Sequence, residues 1–470
     1  MRIGPVLRFT AYAHFGIATA MLPAALLSAL AADGSLGGYV IGLFASVTVA
    51  VLCLSADRGY DPRPMVRNGL RELLLALVIA WTFLPLAASI PLMVDGETLG
   101  DAWFEAVSAL TTTGGWLSDP IARSTAYDVI YRASLQWLGG LISLATAAAV
   151  FVRPEFIGVS TIVPPFARGE SGSFLRAFDH AFRAFLPVYV GLTLGGGVAF
   201  VLVGVPVIDS FAMAMSLIAT GGFIPAANGI GAYPDGAVYV AATMMLLGAV
   251  NFLLISGMLL GRARRLGAAG DKETLAFLAV LPFVALLFWV ATGAGDLDRL
   301  GAQAFNAISL LSTNGPTLGE VPPLTPLLVS AVIGGAAVST AGGIKILRWM
   351  VAIRRTGDEL WRITHPGAVL GRPSEPNELG IWIHTMAFAL LLAAVVLTVA
   401  FYGHSLEVSA ATAVAVLANV GPIVEYAPLM TADYRIFDPS LRVLLVFAMI
   451  SGRLELVVFL MMLSRRFWMG

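Results

Sequence analysis

Charged residues and cysteine are scarce in this 470-residue sequence. Asp, Glu, Lys and Arg together make up 12% of it, and Cys53 is its one cysteine. Soluble globular domains typically contain about 25% charged residues, so the shortage excludes a water-soluble enzyme, a disordered chain and a basic nucleic-acid binder. A lone cysteine excludes a disulfide framework within the chain and a cysteine-based metal cluster.

Long apolar runs take the place of the missing charge. Hydrophobic residues make up 58% of the chain, and a helix that spans a membrane needs about 20 consecutive, mostly apolar residues. We predict ten spans, near residues 9–32, 37–55, 70–94, 130–152, 180–204, 236–260, 274–292, 326–350, 380–402 and 440–463. The first run exceeds the apolar stretch of about 7–15 residues in a cleavable signal peptide, so we expect it to be retained as a span.

Four shorter apolar runs lie between these spans, near residues 101–116, 208–223, 302–316 and 407–422. Runs of about 10–14 residues are too short to cross a bilayer and are typical of re-entrant segments. Basic residues such as Arg262 and Arg264 concentrate in alternate connections, and acidic residues such as Glu97 and Asp101 lie in the others. The positive-inside rule then predicts a multi-pass inner-membrane protein with both termini in the cytoplasm and all four short segments on the outer side.

The spans and short segments follow a repeating order. Two leading spans in residues 1–68 precede four units of span, re-entrant segment and span, which we assign to residues 69–153, 154–262, 263–356 and 357–470. Each short segment ends in a similar Gly-containing strip: TTTGG at 111–115, IATGG at 218–222, STNGP at 312–316 and ANVGP at 418–422. The sequence therefore predicts an all-α polytopic membrane protein with four pseudo-symmetric repeats, and such repeats usually place the functional site at their interface.

The strips have the properties of a cation filter. Non-helical backbone survives at membrane depth only where it is buried in protein or lines a watery cavity. The carboxyl ends of four half-helices would face a cation with partial negative charge, and strip carbonyls would replace its water shell. No strip contains Asp or Glu, which favours a large monovalent ion over Ca²⁺ or Mg²⁺, because those ions usually recruit carboxylates.

Two further features lie on the predicted pathway. The span near 326–350 is interrupted by GGAAVSTAGG at 334–343, and each glycine weakens a helix by about 1 kcal/mol relative to alanine. Lys345, which follows, would repel a cation, bind the carbonyls of the interrupted segment or simply be the first basic residue on the inner side. Arg453 lies inside the last apolar run, where an arginine is costly unless it faces water or a partner. It is predicted to form a barrier beneath the strips or to pair with a carboxylate such as Glu455.

These motifs resemble those of the Trk/Ktr/HKT superfamily of potassium transporters, specifically its bacterial Trk-type pore subunits. The resemblance covers nearly the whole chain and rests on FEAVSALTTTGG at 104–115, YRASLQWLGG at 131–140, SLIATGGF at 216–223, GGAAVSTAGGIKILR at 334–348, LANVGP at 417–422 and SGRLE at 451–455. It implies four M1–pore helix–M2 units around one potassium pathway, assembled in the lipid membrane as a homodimer. A cytosolic ring of TrkA/KtrA-type nucleotide-binding regulatory subunits is implied as partner, K⁺ as the transported ion, and no organic cofactor on this chain.

The resemblance also assigns roles to residues. It implies a selectivity filter formed by Thr112, Thr113, Gly114, Ala219, Thr220, Gly221, Thr313, Asn314, Gly315, Asn419, Val420 and Gly421. It implies a gate in the interrupted span, at Gly334, Gly335, Ser339, Thr340, Gly342, Gly343 and Lys345, and a pore barrier at Arg453. The third strip departs from the family pattern, because relatives often have a threonine-rich version ending in Gly-Phe where this chain has Asn314 and Pro316. The degree of preference for K⁺ over Na⁺ therefore stays open.

Other functions remain as alternatives. A Na⁺-permeable transporter, or one that couples K⁺ to Na⁺ or H⁺, fits the same architecture. A secondary transporter of a small organic solute usually has inverted repeats, whereas all four units here share one orientation. Any single strip could serve only close helix packing. An intramembrane protease is excluded because GAGD at 293–296 and Asp128 lie at the ends of spans, where paired carboxylates cannot form a buried acid–base dyad.

Gly114→Ser should shift the selectivity of the chain toward Na⁺, because in the plant relatives a serine at this glycine position accompanies sodium preference. The measurement is the ratio of Na⁺ to ⁸⁶Rb⁺ uptake by vesicles that contain the purified protein. Equal ratios before and after the substitution would remove Gly114 from the residues that determine selectivity.

Overall fold

The computed structural model describes residues 4–32, 34–57, 69–93, 96–117, 125–151, 174–226, 228–259, 272–365, 378–427 and 434–454, together with Leu456 and Arg465. Regular structure in these ranges is helical, and they contain no strand. The expectation of an all-α protein is confirmed.

The α-helices in these ranges alternate between long and short. They are α1 (Gly4–Ala31), α2 (Leu36–Ala56), α3 (Gly69–Met93), α4 (Leu99–Leu110), α5 (Ala126–Phe151), α6 (Phe174–Leu202), α7 (Val207–Ile218), α8 (Asp235–Ala249), α9 (Phe252–Leu259), α10 (Lys272–Ala291), α11 (Leu297–Leu311), α12 (Leu324–Ile333), α13 (Ile346–Thr364), α14 (Glu378–Phe401), α15 (Leu406–Leu417) and α16 (Pro439–Arg453).

Several of the long helices can cross a membrane. Within the described ranges, α1, α2, α3, α6, α10 and α14 are long and apolar enough to do so by length and composition. α5 has 26 residues, which is also sufficient length. The last predicted span, near 440–463, is described through Leu454 and at Leu456, and its remaining residues lie outside the described part of the chain.

Four successive groups of helices follow α1 and α2. Each group contains a long helix, a short helix and a second long or broken helix, and the groups are α3–α4–α5, α6–α7–α8/α9, α10–α11–α12/α13 and α14–α15–α16. α1 packs against α2, α3 and α5, so the leading pair flanks the first group. This order is the predicted fourfold pattern.

The short helices α4, α7, α11 and α15 have 12, 12, 15 and 12 residues. At 1.5 Å per residue, they fall short of the roughly 30 Å hydrocarbon core. Side chains cap three of their amino termini: Thr98, Asp296 and Ser405 each accept a hydrogen bond from a backbone N–H three residues ahead. Such caps satisfy donors that a helix start otherwise leaves unpaired, so these three helices begin at defined residues.

The predicted span near residues 236–260 consists of two helices that are apolar enough to span together but are separated by a sharp bend. α8 and α9 are bent by 104° at Val250 and Asn251. The break frees backbone groups that pair with residues 334–345: Ala249 O accepts from Ala336 N, and Phe252 N donates to Val338 O, both at 2.8 Å. A distant segment therefore breaks this helix, although nothing in the local hydropathy marks the position.

The predicted interruption near residues 326–350 is present. α12 ends at Ile333 and α13 begins at Ile346, and we call the segment between them the 334–345 loop. Its end folds back on α12, because Ile344 N donates to Val332 O at 3.0 Å and Lys345 N to Ile333 O at 3.1 Å.

Gly139→Ala should destabilise the protein, because a Cβ at Gly139 in α5 would lie 1.8 Å from Leu110 O at the end of α4. Overpacking of this kind costs about 1–3 kcal/mol. The measurement is the melting temperature of the purified protein in detergent. Gly191→Ala in α6 is the matched control, since a Cβ there meets nothing within 4 Å; equal melting temperatures for the two variants would contradict the close approach of α5 to α4.

Candidate ion pathway

Each short helix leads into one of the four Gly-containing strips, which we number 1 to 4 in chain order (111–115, 218–222, 312–316 and 418–422). One hydrogen-bond pattern recurs at the start of every strip: a backbone N–H donates to the carbonyl five residues earlier at 2.8–2.9 Å. The four donors are Thr113, Gly221, Asn314 and Val420. The strips therefore share one backbone path, and this pattern fixes their register.

The residue before each donor has a left-handed backbone. The φ angles are +54° at Thr112, +57° at Thr220, +60° at Thr313 and +54° at Asn419. For residues other than glycine this region costs roughly 1–2 kcal/mol, and residues held in it cluster at functional sites. Four such residues at one position of four repeats are therefore a repeated feature of the backbone.

The backbone corrects the predicted register of strip 2. We aligned Gly221 with Gly114, Gly315 and Gly421, but the hydrogen bonds and φ angles align Gly222 with them. Ala219 keeps a helical conformation as the last residue of the turn that ends α7. The register was misjudged because consecutive glycines allow two alignments in sequence, whereas the position of the helix end allows one.

The backbones of neighbouring strips are in direct contact. Strip 4 joins strip 1 because Gly421 N donates to Thr113 O. Strip 1 meets strip 2 where a Cβ on Gly114 would lie 2.3 Å from Gly221 O. Gly114 also has a φ of +75°, so glycine satisfies both the conformation and the close approach at this position without strain.

Two further approaches close the ring of strips. A Cβ placed on Gly222 would lie 1.8 Å from Asn314 O, so the backbone of strip 2 lies against that of strip 3. A Cβ placed on Gly315 in strip 3 would lie 3.1 Å from the ring of Pro422, the last residue of strip 4. The four strips therefore surround one centre, and the carboxyl ends of four short helices, each with partial negative charge, lead into it.

Four backbone carbonyls in this ring accept no hydrogen bond from the described residues. In the described ranges no group donates a hydrogen bond to the carbonyl oxygens of the left-handed residues, although these residues are at most 1% exposed. Buried carbonyls are nearly always paired with protein, water or an ion. The unpaired set is Thr112 O, Thr220 O, Thr313 O and Asn419 O, and oxygens of this kind suit a dehydrated monovalent cation.

Buried polar side chains that the sequence analysis did not single out support strips 1 and 2. Glu105 in α4 and Arg132 in α5 form an ion pair at 2.8 Å, and Glu105 Oε1 also accepts from Leu117 N at 3.1 Å. The Arg132 guanidinium lies 5.1 Å from the centre of the Trp116 ring. Gln136 Nε2 donates to Gly221 O at 3.0 Å. The signal in the sequence that could have identified these residues is the presence of charged and amide side chains inside apolar runs.

The 334–345 loop lies directly against strips 2, 3 and 4. Thr220 Oγ1 donates to Thr340 O at 2.8 Å, and Gly342 N donates to Thr313 Oγ1 at 2.8 Å. A Cβ on Gly342 would lie 2.0 Å from Ala418 O. The loop therefore covers the ring on the side opposite the start of the short helices.

Residues within the loop hold its shape. Lys345 is 7% exposed, and its Nζ donates to Ala341 O at 2.6 Å and lies 3.3 Å from Ser339 O. Of the three roles considered for Lys345, binding of the loop's own carbonyls is the one observed. Gly334 and Gly343 take φ angles of +75° and +73° and meet where the loop closes, and Gly335 O accepts from Ile346 N at 2.9 Å.

Arg453, at the end of α16, reaches the loop. Its Nε donates to Ser143 Oγ in α5 at 2.6 Å, and its Nη1 donates to Thr340 O at 2.8 Å. Its Nη2 is buried and has no hydrogen-bond partner among the described residues. No ion pair joins Arg453 to a described carboxylate, and Glu455 lies outside the described part of the chain. The guanidinium thus joins the first repeat to the loop.

A cavity of about 40 Å³ lies beside the loop, lined by loop residues and by residues of α5, α15 and α16. Arg453, Lys345 and Arg348 line it together with Gly342, and a cavity of this size holds a few waters at most. Its positive lining opposes the approach of a cation from this side. In the described ranges there is no group of three or more His, Cys, Asp or Glu residues that could hold a resident metal ion.

Glu97 lies in the connection between α3 and α4, on the side where the short helices begin. Burial, together with the charge of Glu105, raises the pKa of Glu97 to about 7, against a smaller opposing effect from Arg132. Its Oε2 has no hydrogen-bond partner in the described part of the chain. Glu97 is therefore a carboxyl group that titrates near neutral pH at this end of the pathway.

A family model described as "TrkH: Cation transport protein" matches residues 45–294. The chain is 28% identical over 491 residues to the Trk system potassium uptake protein TrkH of Halomonas elongata, and the match covers 100% of both chains. It is 29% identical over 472 residues to the Trk system potassium uptake protein TrkH of Vibrio parahaemolyticus, covering 95% of this chain and 96% of the relative.

The fold is similar to a solved structure over its full length. The crystal structure of the potassium transporter TrkH from Vibrio parahaemolyticus superposes with a TM-score of 0.86 at 25% sequence identity, and the match covers 100% of both chains. The similarity therefore extends across all four groups of helices.

Glu97→Gln should raise the melting temperature of the protein more at pH 8 than at pH 5. A carboxyl whose pKa is raised on folding lowers stability as pH rises from about 4.5 through about 7, because the folded state must release a proton it holds more tightly than the unfolded chain does. We expect a gain of about 2 °C at pH 8. Asp235→Asn, at an exposed acid, is the control, and a gain independent of pH would contradict the raised pKa.

Proposed function

Because the chain belongs to the TrkH family of cation transport proteins, we propose that it takes up potassium across the inner membrane through a channel-like pore. The family is one of transporters rather than enzymes, and the resemblance to Trk-type potassium transporters is confirmed. The observation that carries the proposal is the ring of four buried, unpaired carbonyls at the left-handed residues.

The selectivity filter of this pore is the backbone of the four strips. Thr112, Thr220, Thr313 and Asn419 supply the carbonyl ring, and the following two residues of each strip continue the filter. The corrected register replaces Ala219, Thr220 and Gly221 by Thr220, Gly221 and Gly222 in strip 2. Neutral oxygens without a carboxylate favour a monovalent cation.

The short helices start on the outer side of the membrane, and both termini lie in the cytoplasm. Glu97 precedes α4 and Asp101 lies in its first turn, whereas Arg354, Arg355 and Arg362 lie on α13 beyond the loop. By the positive-inside rule, the end of the molecule that carries these arginines is the inner one. The basic residues Arg262 and Arg264 lie outside the described residues.

The 334–345 loop is the gate, and Arg453 is the barrier beneath the filter. The proposal is supported by two hydrogen bonds that hold the loop directly against the ring: Thr220 Oγ1 donates to Thr340 O, and Gly342 N donates to Thr313 Oγ1. Arg453 holds the loop through Thr340 O and adds positive charge beside it. A cation would pass once the loop moves away from the strips.

We further propose the assembly that the family resemblance implies. The chain forms a homodimer in the membrane and carries a cytosolic ring of TrkA/KtrA-type nucleotide-binding subunits. The name of the relatives, a Trk system protein, supports the existence of further components. The distal part of α13, which extends from the loop and is largely exposed after Ala352, is a connection through which a cytosolic partner would act on the gate.

The function is tested by ⁸⁶Rb⁺ uptake into vesicles that contain the purified chain, in competition with K⁺, Na⁺ and Cs⁺. We expect K⁺ to compete far better than Na⁺. Equal competition by Na⁺ would support the Na⁺-permeable alternative, and dependence of uptake on a Na⁺ or H⁺ gradient would support a coupled transporter. Transport of an organic solute without Rb⁺ flux would overturn the proposal.

Arg453→Ala should raise Rb⁺ uptake about tenfold at equal protein amounts. The substitution removes a charge-assisted hydrogen bond to the loop, worth about 1.5–3 kcal/mol, and 1.4 kcal/mol corresponds to a factor of ten in the population of an open loop. Arg183→Ala, at an exposed arginine of α6, is the control and should leave uptake unchanged. Unchanged uptake in the Arg453 variant would reject the barrier assignment.

A further inference from the structure

Two tyrosines that follow strip 4 donate hydrogen bonds to strip carbonyls. Tyr426 ends the 3₁₀ helix Gly421–Tyr426, and its hydroxyl donates to Gly315 O in strip 3 at 3.1 Å. Tyr434 begins the 3₁₀ helix Tyr434–Ile436, and its hydroxyl donates to Gly421 O in strip 4 at 3.1 Å. Both tyrosines come from the last repeat, yet they act on the third and fourth strips.

The Tyr434 ring is wedged between strips 1 and 4. A Cβ on Gly115 would lie 2.6 Å from this ring, so strip 1 packs flat against it while the hydroxyl holds strip 4. Phe104 in α4 and Phe437 pack on the same ring, with centroids 5.5 Å and 5.7 Å away. Tyr434 is 2% exposed, and its position is therefore fixed on every side.

Tyr426 has the corresponding position between strips 3 and 4. It follows strip 4 by four residues at the end of the short 3₁₀ helix Gly421–Tyr426, and its hydroxyl reaches Gly315 in the neighbouring strip. Pro422, at the start of that helix, packs against Gly315 as well. The distance between strips 3 and 4 is thus set by one short, rigid element of the chain.

The two hydrogen bonds make the four strips unequal at one level. Gly114, Gly222, Gly315 and Gly421 occupy the same position in their strips. In the described part of the chain, the carbonyls of Gly114 and Gly222 accept no hydrogen bond, whereas those of Gly315 and Gly421 are held by tyrosine hydroxyls. Two of the four carbonyl oxygens at this position are therefore held by hydrogen bonds within the protein and cannot move toward a bound ion.

We propose that Tyr426 and Tyr434 are positioning residues that determine cation selectivity by holding strips 3 and 4 at a fixed width. This inference rests on the proposed filter function. Coordination of Na⁺ requires shorter oxygen distances than coordination of K⁺, so a ring that cannot contract leaves Na⁺ incompletely coordinated. Loss of either hydroxyl frees one carbonyl and lets the ring adapt to the smaller ion.

The test compares Tyr426→Phe, Tyr434→Phe and Tyr402→Phe with the wild-type chain. Each substitution removes only a hydroxyl, and that of Tyr402 is bonded to Ser440 Oγ at the protein surface, away from the strips. The measured quantity is the ratio of Na⁺ to ⁸⁶Rb⁺ uptake in vesicles. We expect the ratio to rise about fivefold in the Tyr426 and Tyr434 variants, as the loss of one hydrogen bond allows, and to stay unchanged in the control.

A second measurement does not depend on transport. A cation that binds the folded protein raises its melting temperature, so the difference between the melting temperatures in K⁺ and in Na⁺ reports selectivity in detergent. We expect the difference to shrink in the Tyr426 and Tyr434 variants. A uniform drop in both salts, with an unchanged uptake ratio, would show that the hydroxyls serve stability alone and would overturn the proposal.

The result separates the inference from the function on which it rests. Wild-type protein that takes up Rb⁺, together with unchanged ratios in both variants, overturns the role of the tyrosines and leaves the filter intact. Wild-type protein that takes up no Rb⁺ overturns the filter and the tyrosine role with it.

Discussion

The structure depends on one constraint: backbone that leaves the helix inside a membrane must find partners for its polar groups. The four strips meet it in part, through N–H groups that return to the short helices and through contacts between neighbouring strips. Among the polar groups of the strips that accept no hydrogen bond from the described residues are the carbonyls of the left-handed residues. Their strain and their lack of partners occur at the same four positions, so the features that cost stability are the features that can bind an ion.

The supports around the ring differ from strip to strip. Strip 1 rests on the buried Glu105–Arg132 pair, strip 2 on Gln136, and strips 3 and 4 on tyrosine hydroxyls. Breaking a buried ion pair costs about 3–5 kcal/mol, whereas a neutral hydrogen bond is worth about 1 kcal/mol. Because the four repeats belong to one chain and differ in sequence, one strip can be held more firmly than another. Four identical subunits would hold all four strips equally.

Hydropathy and motif spacing predicted the long helices, the four short helices between them and the interruption after Ile333, because each depends on local composition. They did not predict the bend at Val250 and Asn251, since that break is set by pairing with the loop some 90 residues away. The register of strip 2 was missed because Gly221 and Gly222 are equivalent in sequence. Tyr426 and Tyr434 carry no local sign of their role, which depends on reaching a neighbouring strip.

The 334–345 loop is tied by main-chain hydrogen bonds to the break between α8 and α9, where Gly248 O and Ala249 O accept from Thr340 N and Ala336 N. Displacing the loop would break these hydrogen bonds together and leave the N–H groups of the loop and the carbonyls of α8 without partners. Each unpaired group costs several kcal/mol in a dry interior. Water must therefore enter the space between the loop and the α8–α9 break when the loop is displaced, so that it can pair with these groups. In the gate proposed above, entry of water and opening would then be a single event, half-displaced states would be penalised, and ion flow would come in bursts rather than in gradations.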